Sequence, residues 1–274
     1  MNQRSERAPV ATRSVRRIAP DGPSSVDDEL VVEEPLEIRL GDDPVAVVMR
    51  TPGHDMELAV GFLFSEGILR DPDQVLAVEY CSDTTAEAAG NVVRVRAEGA
   101  DPEATAKARR EVYASSSCGL CGKTTLDAVR LLAPPLSRVA ALSSSLLLEL
   151  PGRLREAQPL FSRTGGLHAA GLFSTTGDLL LLREDIGRHN AVDKVLGAFA
   201  MREQWPLSNR ILVLSGRASF EMVQKAAMAG IGAVVSVSAP SSLAVDYASD
   251  AGMTLVGFVR DGRLNVYAGE VTDG

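Results

Sequence analysis

The chain has 274 residues, of which 45% are apolar, 23% charged and 4% aromatic, so it has the composition of a soluble globular protein with an aliphatic core. Its formal net charge of −8 argues against nucleic acid as the main partner, because a phosphate backbone attracts a basic surface. No apolar run is long enough to span a membrane, and the odd, low cysteine count is not a disulfide framework, so we expect a cytoplasmic protein with no membrane contact.

The amino-terminal part is predicted to be a tail followed by a strand-rich unit. Residues 1–27 are rich in Arg, Ser, Pro and Asp without clear periodicity, which predicts a disordered tail. Residues 51–69 carry apolar side chains at helical spacing, whereas residues 102–114 fit a helix or a strand equally well. The strands predicted in this part cover residues 29–40, 44–50, 74–81 and 91–97. We therefore expect a strand-rich N-terminal subdomain over residues 28–114.

The carboxy-terminal part alternates between strand and helix patterns. The predicted elements are helices over 122–132 and 146–157, a hairpin over 167–185, a helix over 186–203, a strand over 210–216, a helix over 218–230, a strand over 233–238, a helix over 241–252, and strands over 254–260 and 263–268. Such alternation is typical of βαβ units in a mostly parallel or mixed sheet. An α/β domain is therefore predicted over residues 126–274, and a cysteine-containing loop over residues 115–125 separates it from the first part.

That loop reads SSSCGLCGKTT and places Cys118 and Cys121 three positions apart. A structural zinc site needs two further nitrogen or sulfur ligands, but the sequence has neither a second such cysteine pair nor an HxxxH motif. The zinc-deaminase pattern also fails, because Ser117 stands where P-C-x-x-C needs proline and residues 54–57 are one residue too long for H-x-E. No metal site is predicted.

A phosphate-binding loop is also disfavoured for this segment. The GKTT sequence resembles the end of a Walker A motif, but Ser117 occupies the position of the first glycine. Two interpretations of the thiol pair then remain equally open. Cys118 and Cys121 are either a dithiol–disulfide pair or a sulfur carrier, in which one thiolate accepts a sulfur atom as a persulfide and the other exchanges it.

Seven ordered segments resemble the formate dehydrogenase accessory sulfurtransferase family, FdhD. They are TPGHDMELAVGFLFSEGI (51–68), SSSCGLCG (115–122), TGGLHAA (164–170), EDIGRHNAVDKVLG (184–197), SGRASFEMVQKAAMAG (215–230), SAPSSLAVDYA (238–248) and LVGFVRDGRLNVY (255–267). Together they span nearly all of residues 30–268. A lone cysteine pair is weak support for a family, whereas this ordered set is specific.

The resemblance implies both a fold and a function. The fold is a cytidine-deaminase-like mixed sheet with helices on both faces, and family members form homodimers. The implied activity is that of a sulfurtransferase, which takes sulfur from a cysteine desulfurase and passes it to the molybdenum cofactor before the cofactor enters formate dehydrogenase. By position, Cys118 is the expected persulfide carrier and Cys121 its partner for relay or resolution.

The resemblance also implies a binding site for the cofactor, which is bound as a substrate in its bis-guanine-dinucleotide form. A guanine nucleotide is expected to mimic it. The matching residues form a strand–turn–strand segment, where guanidinium groups and backbone N–H groups can meet phosphate. They are Phe258, Val259, Arg260, Asp261, Gly262 and Arg263.

Three further groups of polar residues are predicted to take part in cofactor binding. Asp185, Arg188 and His189 surround a helix start after an apolar strand, a place where α/β sheets bind ligands. Ser215 and Arg217 repeat that arrangement after the next strand, where an anion could sit at the helix N-terminus. His168 follows two glycines that permit close approach of a ligand.

Overall fold

The computed structural model describes residues 7–82, 85, 88–114, 133–136, 139 and 141–273. The predicted loop with Cys118 and Cys121 and the predicted helix over residues 122–132 lie outside the described residues. The helices are α1 (Asp55–Ser65), α2 (Pro102–Ala114), α3 (Ser144–Glu156), α4 (Pro159–Thr164), α5 (Arg188–Ala200), α6 (Phe220–Met228) and α7 (Ser242–Asp250). The strands are β1 (Val10–Ala19), β2 (Gly22–Val31), β3 (Glu34–Leu40), β4 (Asp43–Arg50), β5 (Val75–Tyr80), β6 (Val92–Ala97), β7 (Leu142–Ser143), β8 (His168–Ser174), β9 (Leu179–Asp185), β10 (Arg210–Leu214), β11 (Ala233–Ser236), β12 (Thr254–Arg260), β13 (Arg263–Ala268) and β14 (Val271–Thr272).

A six-stranded mixed sheet in the order β13-β12-β11-β10-β8-β9 forms the carboxy-terminal part. Strands β10, β11 and β12 are parallel, while β8, β9 and β13 each run antiparallel to a neighbour. Side chains alternate between its two faces, as in β10, where Leu212 and Leu214 pack with α5, α6 and α7 while Ile211 and Val213 pack with α3. The predicted α/β fold, a mixed sheet with helices on both faces, is confirmed.

A smaller sheet in the order β4-β3-β6-β5 lies in the amino-terminal part, within the predicted subdomain 28–114. Helix α1 is sandwiched between this sheet and α5, and two glycines allow the helices to cross closely. A Cβ on Gly61 would lie 1.8 Å from the Asp193 carbonyl oxygen, and one on Gly197 would lie 1.8 Å from the Glu57 carbonyl oxygen. The ambiguous segment 102–114 is helix α2. No helix in the described ranges is long and apolar enough to cross a membrane.

A buried polar cluster fixes α1 against α5 and α6. The Lys225 ammonium donates to Ser65 Oγ at 2.7 Å, to both Asp193 carboxylate oxygens at 3.0 Å, and to Glu66 Oε1 at 3.0 Å. The side chains of Lys225 and Asp193 are only 7% and 3% exposed, so water screens this pair little. The cluster therefore ties the two parts of the chain into one structure.

The prediction of a disordered tail over residues 1–27 is wrong from Val10 onwards. Strands β1 and β2 form a regular antiparallel hairpin that pairs Val10 with Val31 and Ala19 with Gly22. The Pro20-Asp21-Gly22 sequence between the two strands favours a turn, because proline fixes its own φ and Gly22 has a φ of +114°. At the hairpin's base, Arg163 on α4 donates two hydrogen bonds to the Glu29 carboxylate.

Candidate functional site

The residues predicted to bind the cofactor, all of which the structure describes, come together at one edge of the six-stranded sheet. Strands β9, β10, β11 and β12 end there, and β8 begins there, with His168 opposite Asp185 in the strand register. The loop after β10 is joined to β8, because Ser215 N–H donates to the Ala169 carbonyl and Ala169 N–H donates to Ser215 Oγ at 2.8 Å. In open α/β sheets this edge, beyond the carboxyl ends of the strands, is where ligands bind.

A cavity of about 670 Å³ opens at this edge, between α3, the α3–α4 junction, the start of β8 and the β12–β13 hairpin. This volume lies within the usual range for small-molecule sites. Half of the residues predicted to bind the cofactor line it: His168, Ser215, Val259, Arg260, Asp261 and Gly262. The cavity therefore unites three segments that are spread over about 90 residues of the sequence.

The β12–β13 hairpin has an unusual backbone. Phe258 and Asp261 adopt left-handed φ angles of 53° and 54°, and the strand register shifts between Gly257 and Arg260. Non-glycine residues in this region of φ cost free energy and cluster at functional sites. The shift leaves Arg260, Asp261 and Gly262 on the cavity wall. Phe258 and Arg263 belong to the same hairpin but not to the cavity lining. The Arg260 guanidinium lies over the Phe258 ring, 5.5 Å from its centroid.

Positive charge gathers beside the cavity around His168. This imidazole packs on the loop after β10, since a Cβ on Gly216 would lie 3.2 Å from His168 Nδ1. Burial, and then the charges of Arg188 and Arg217, lower the pKa of His168 below its ordinary value. The two guanidinium groups are thus close enough to act on His168 and to favour an anion there. His168 itself is predominantly neutral at pH 7 and can offer one N–H donor.

Two buried atoms next to this positive region lack a hydrogen-bond partner in the part of the chain that the structure describes. Arg188 Nε is buried and has no partner among the residues that the structure describes. His189 Nε2 lies 2.6 Å from Glu221 Oε2, which is an ion-pair distance, but the two atoms are not aligned as a hydrogen bond. Buried polar groups in native proteins are normally satisfied, so these two atoms are exceptions at this edge of the sheet.

Asp185 lies behind the cavity rather than in its lining, and its role in cofactor binding stays a prediction. Its side chain is fully buried, and Oδ1 accepts from Gly187 N–H at 2.8 Å and from the Asn190 amide at 2.9 Å. Oδ2 accepts from Thr51 N–H at 3.1 Å and forms an ion pair with Lys194 at 2.7 Å. With both oxygens engaged, Asp185 holds the start of α5 against the residues that follow β4, and so positions Arg188.

The α3–α4 junction contributes cavity residues that the sequence gave no reason to choose. Gln158 lines the cavity and is 3% exposed. Phe161 lines it as well, with the Arg155 guanidinium over its ring at 4.4 Å. No motif marks these residues, because their importance arises when α3 and α4 pack over the sheet edge.

A second cavity of about 570 Å³ lies on the other side of the α3–α4 junction. Its cationic side chains are neutralised by the protein itself: Arg183 pairs with Glu57 at 2.6 Å and Lys194 with Asp185 at 2.7 Å. The first cavity is therefore the better candidate for an anionic ligand. In the described part of the chain, no group of three His, Cys, Asp or Glu residues is placed to hold a metal ion.

The sequence matches the model of the FdhD/NarQ family over residues 31–272. It is 52% identical over 267 residues to a protein of Streptomyces avermitilis named sulfur carrier protein FdhD, a match that covers 94% of this chain and 93% of the relative. A Mycobacterium tuberculosis protein of the same name is 48% identical over 266 residues, which cover 94% of this chain and 96% of that protein.

The fold is also found in a solved structure. The crystal structure of a putative formate dehydrogenase accessory protein from Desulfotalea psychrophila superposes with a TM-score of 0.73 at 26% sequence identity. The superposition covers 95% of this chain and 97% of that chain, so the two molecules share the whole architecture rather than one part of it.

Proposed function

The chain belongs to the FdhD/NarQ family, and on that basis we propose that it is a sulfur carrier that serves formate dehydrogenase. The observation that carries this proposal is 52% identity over 94% of the chain to a protein named sulfur carrier protein FdhD. The neighbouring solved structure, described as a putative formate dehydrogenase accessory protein, supports the second half of the proposal. Both cysteines that the chemistry needs are in the sequence.

Cys118 is the proposed carrier. Its thiolate attacks the outer sulfur of a persulfide on a cysteine desulfurase, the sulfur–sulfur bond of the donor breaks, and the donor cysteine leaves as a thiolate. The product is a persulfide on Cys118, and no external oxidant or reductant is needed. Cys121 can attack the outer sulfur in turn, which breaks the bond to Cys118, forms a persulfide on Cys121 and frees the Cys118 thiolate.

The cavity at the sheet edge is the proposed site for the acceptor, the molybdenum cofactor in its bis-guanine-dinucleotide form. Arg260 on the cavity wall, together with Arg188 and Arg217 beside it, supplies positive charge for phosphate groups on an otherwise acidic protein. A cavity of about 670 Å³ suits one nucleotide arm of this substrate rather than the whole of it. A homodimer would present two such cavities, one for each arm, which agrees with the proposed dimeric state.

The proposal is tested by complementation of cells that lack their own carrier. Formate-dependent dye reduction should be restored by the unaltered chain and should fall to the background of the deletion strain with Cys118→Ser. Ser116→Ala is the matched control, because it changes a side chain two positions away in the sequence and keeps both thiols. Full activity with Cys118→Ser would instead indicate a module that only binds the cofactor. A reversible disulfide between Cys118 and Cys121, with turnover of dithiol substrates, would indicate an oxidoreductase.

A further inference from the structure

The β1–β2 hairpin is a long and regular sheet of only two strands. Its residue pairs run from Val10–Val31 to Ala19–Gly22 without a shift in register, and no third strand in the described part of the chain joins it. A two-stranded hairpin is marginally stable in water unless another surface packs on it. The regular pairing therefore indicates that a further contact covers one face of the hairpin.

The two faces of this hairpin have different surroundings. Opposed residues of an antiparallel pair point to the same face, and successive residues alternate between the faces. Glu29 and Val31 belong to one face, where helix α4 packs: Arg163 donates two hydrogen bonds to Glu29, and a Cβ on Gly166 would lie 3.2 Å from Val31 Cγ2. The opposite face, which we call the outer face, is formed by the pairs Ala11–Leu30, Arg13–Asp28, Val15–Val26, Arg17–Ser24 and Ala19–Gly22.

The outer face carries apolar side chains and charges of both signs. Leu30 is 43% exposed, and the two arginines on β1 are exposed as well, whereas the carboxylate of this face, Asp28, lies on β2. The Arg13 guanidinium donates to the Thr12 carbonyl at 2.9 Å, which does not neutralise its charge. A polyanion would be attracted by one strand and repelled by the other. A fitting partner therefore presents both charges, in the reverse order.

A second copy of the chain meets this requirement in one symmetric arrangement. A two-fold axis parallel to the strands stacks the outer faces so that β1 of each copy lies over β2 of the other. Arg13 then faces the partner's Asp28, and Val15 faces the partner's Val26. A two-fold axis across the strands, or pairing of the hairpins edge to edge, instead places like strands together and so brings like charges together.

We propose that the outer face is a self-association surface, at which two copies stack about this axis and Arg13 of each copy pairs with Asp28 of the other. This inference rests on the dimeric state included in the proposed function, but not on the sulfur chemistry. Two strands of ten residues cover an area of about 10 by 34 Å, or about 340 Å² per copy. A standard interface covers about 800 Å² per copy, so we expect the stacked hairpins to give a dimer that dissociates on dilution.

Sedimentation velocity of the full chain, from low to high micromolar concentration, tests the arrangement. Arg13→Asp and Asp28→Arg should each raise the dissociation constant of the dimer at least about tenfold, because each brings like charges together twice across the axis. An equimolar mixture of the two variants should restore the dimer, since one chain then offers carboxylates to the guanidinium groups of the other. Arg16→Asp is the matched control, because it makes the same change on the opposite face of β1 and should leave the dimer intact.

The mixture also separates association from folding of the hairpin. Each single variant has like charges opposed within its own chain, whether it is alone or mixed, so only contact between chains explains a restored dimer. The double variant Arg13→Asp/Asp28→Arg keeps opposite charges within the chain and is the safeguard should a single variant fail to fold. It should form dimers with itself but none with the unaltered chain, as measured by capture on an affinity tag carried by one of the two.

Each outcome bears on the inference. Undiminished dimers of either single variant alone, monomers in the mixture of folded variants, or mixed dimers of the double variant with the unaltered chain would place the contact elsewhere and overturn it. An unaltered chain that stays monomeric at every concentration would refute the dimeric state and this inference together. The carrier function would still stand in that case, because the complementation assay with Cys118→Ser tests it separately.

Discussion

Replacing Lys225 by methionine should cost more stability than any exposed substitution, because it removes the sole cation from the described buried cluster that joins α1, α5 and α6. In the intact protein, burial by itself would lower the pKa of Lys225, but the carboxylates of Asp193 and Glu66 outweigh burial and raise the pKa. Lys225 is therefore protonated at pH 7, and its four contacts of 2.7 to 3.0 Å are charge-assisted.

The size of the expected loss in unfolding free energy follows from the charge that Lys225→Met leaves unpaired. Asp193 is buried and would lose the charge that balances its own, so its carboxylate would stay buried and uncompensated or take up a proton. Breaking a buried ion pair by removing one partner costs about 3–5 kcal/mol of unfolding free energy. The double variant Lys225→Met/Asp193→Leu leaves no isolated charge at that pair, so we expect it to recover about half of the loss or more.

Urea unfolding at pH 7, monitored by circular dichroism, measures both effects on the same scale. The slope of free energy against urea concentration should be unchanged, so that the shift in midpoint reports stability alone. Arg210→Met, at a residue partly exposed at the start of β10, is the control for loss of a cationic side chain. A cost below about 1 kcal/mol for Lys225→Met, or a double variant as unstable as the single one, would refute the role assigned to the cluster.

Three further predictions concern the helix crossing and the cavity. Gly61→Ala should prevent α1 from packing on α5 and lower the thermal midpoint of unfolding sharply. Gly152→Ala should leave the midpoint nearly unchanged, because its new Cβ would meet no atom outside its own helix within 4 Å. Equal midpoints for the two variants would contradict this prediction. Arg260→Ala should weaken GDP binding about tenfold and reduce its dependence on salt, while Arg202→Ala, at an exposed residue outside the cavity lining, should change little in the same titration. Because the folded pKa of His168 lies below its ordinary value of 6.5, the ligand-free protein should lose stability as the pH falls below 6.5 toward that lowered pKa. His168→Gln should abolish this part of the loss in thermal unfolding at pH 7.5 and 5.5, and an unchanged difference between the two pH values would contradict the assignment.

The main sheet could be predicted from the sequence because its strands and helices follow local, periodic patterns of apolar residues. Strands such as β10 and β11 are short, apolar at all but one residue each and separated by helices, a pattern that few architectures satisfy. The hairpin β1–β2 was missed because charged and small polar residues occupy both of its faces, so no alternation marks a buried side. Its Pro20-Asp21-Gly22 turn was the available signal.

The site could be predicted from the sequence only where its polar residues stand at the ends of predicted strands. Polar residues at strand ends, such as His168, Ser215 and Arg260, do meet at one edge of the sheet. The sequence could not distinguish these from Asp185, because the groups that enclose its carboxylate, Thr51 among them, come from segments up to 134 residues away. Gln158 could not be identified from the sequence for the same reason, because only the packed structure shows which side chains are buried at the cavity.

The central claim is that Cys118 carries sulfur, and peptide mass spectrometry tests it most directly. After incubation of the chain with a cysteine desulfurase and cysteine, the Cys118 peptide should gain about 32 Da, the mass of one sulfur atom, and lose it again on reduction. Cys81, which is 3% exposed, provides an internal control in the same digest and should gain nothing. An unmodified Cys118 peptide beside a fully active desulfurase would contradict the account.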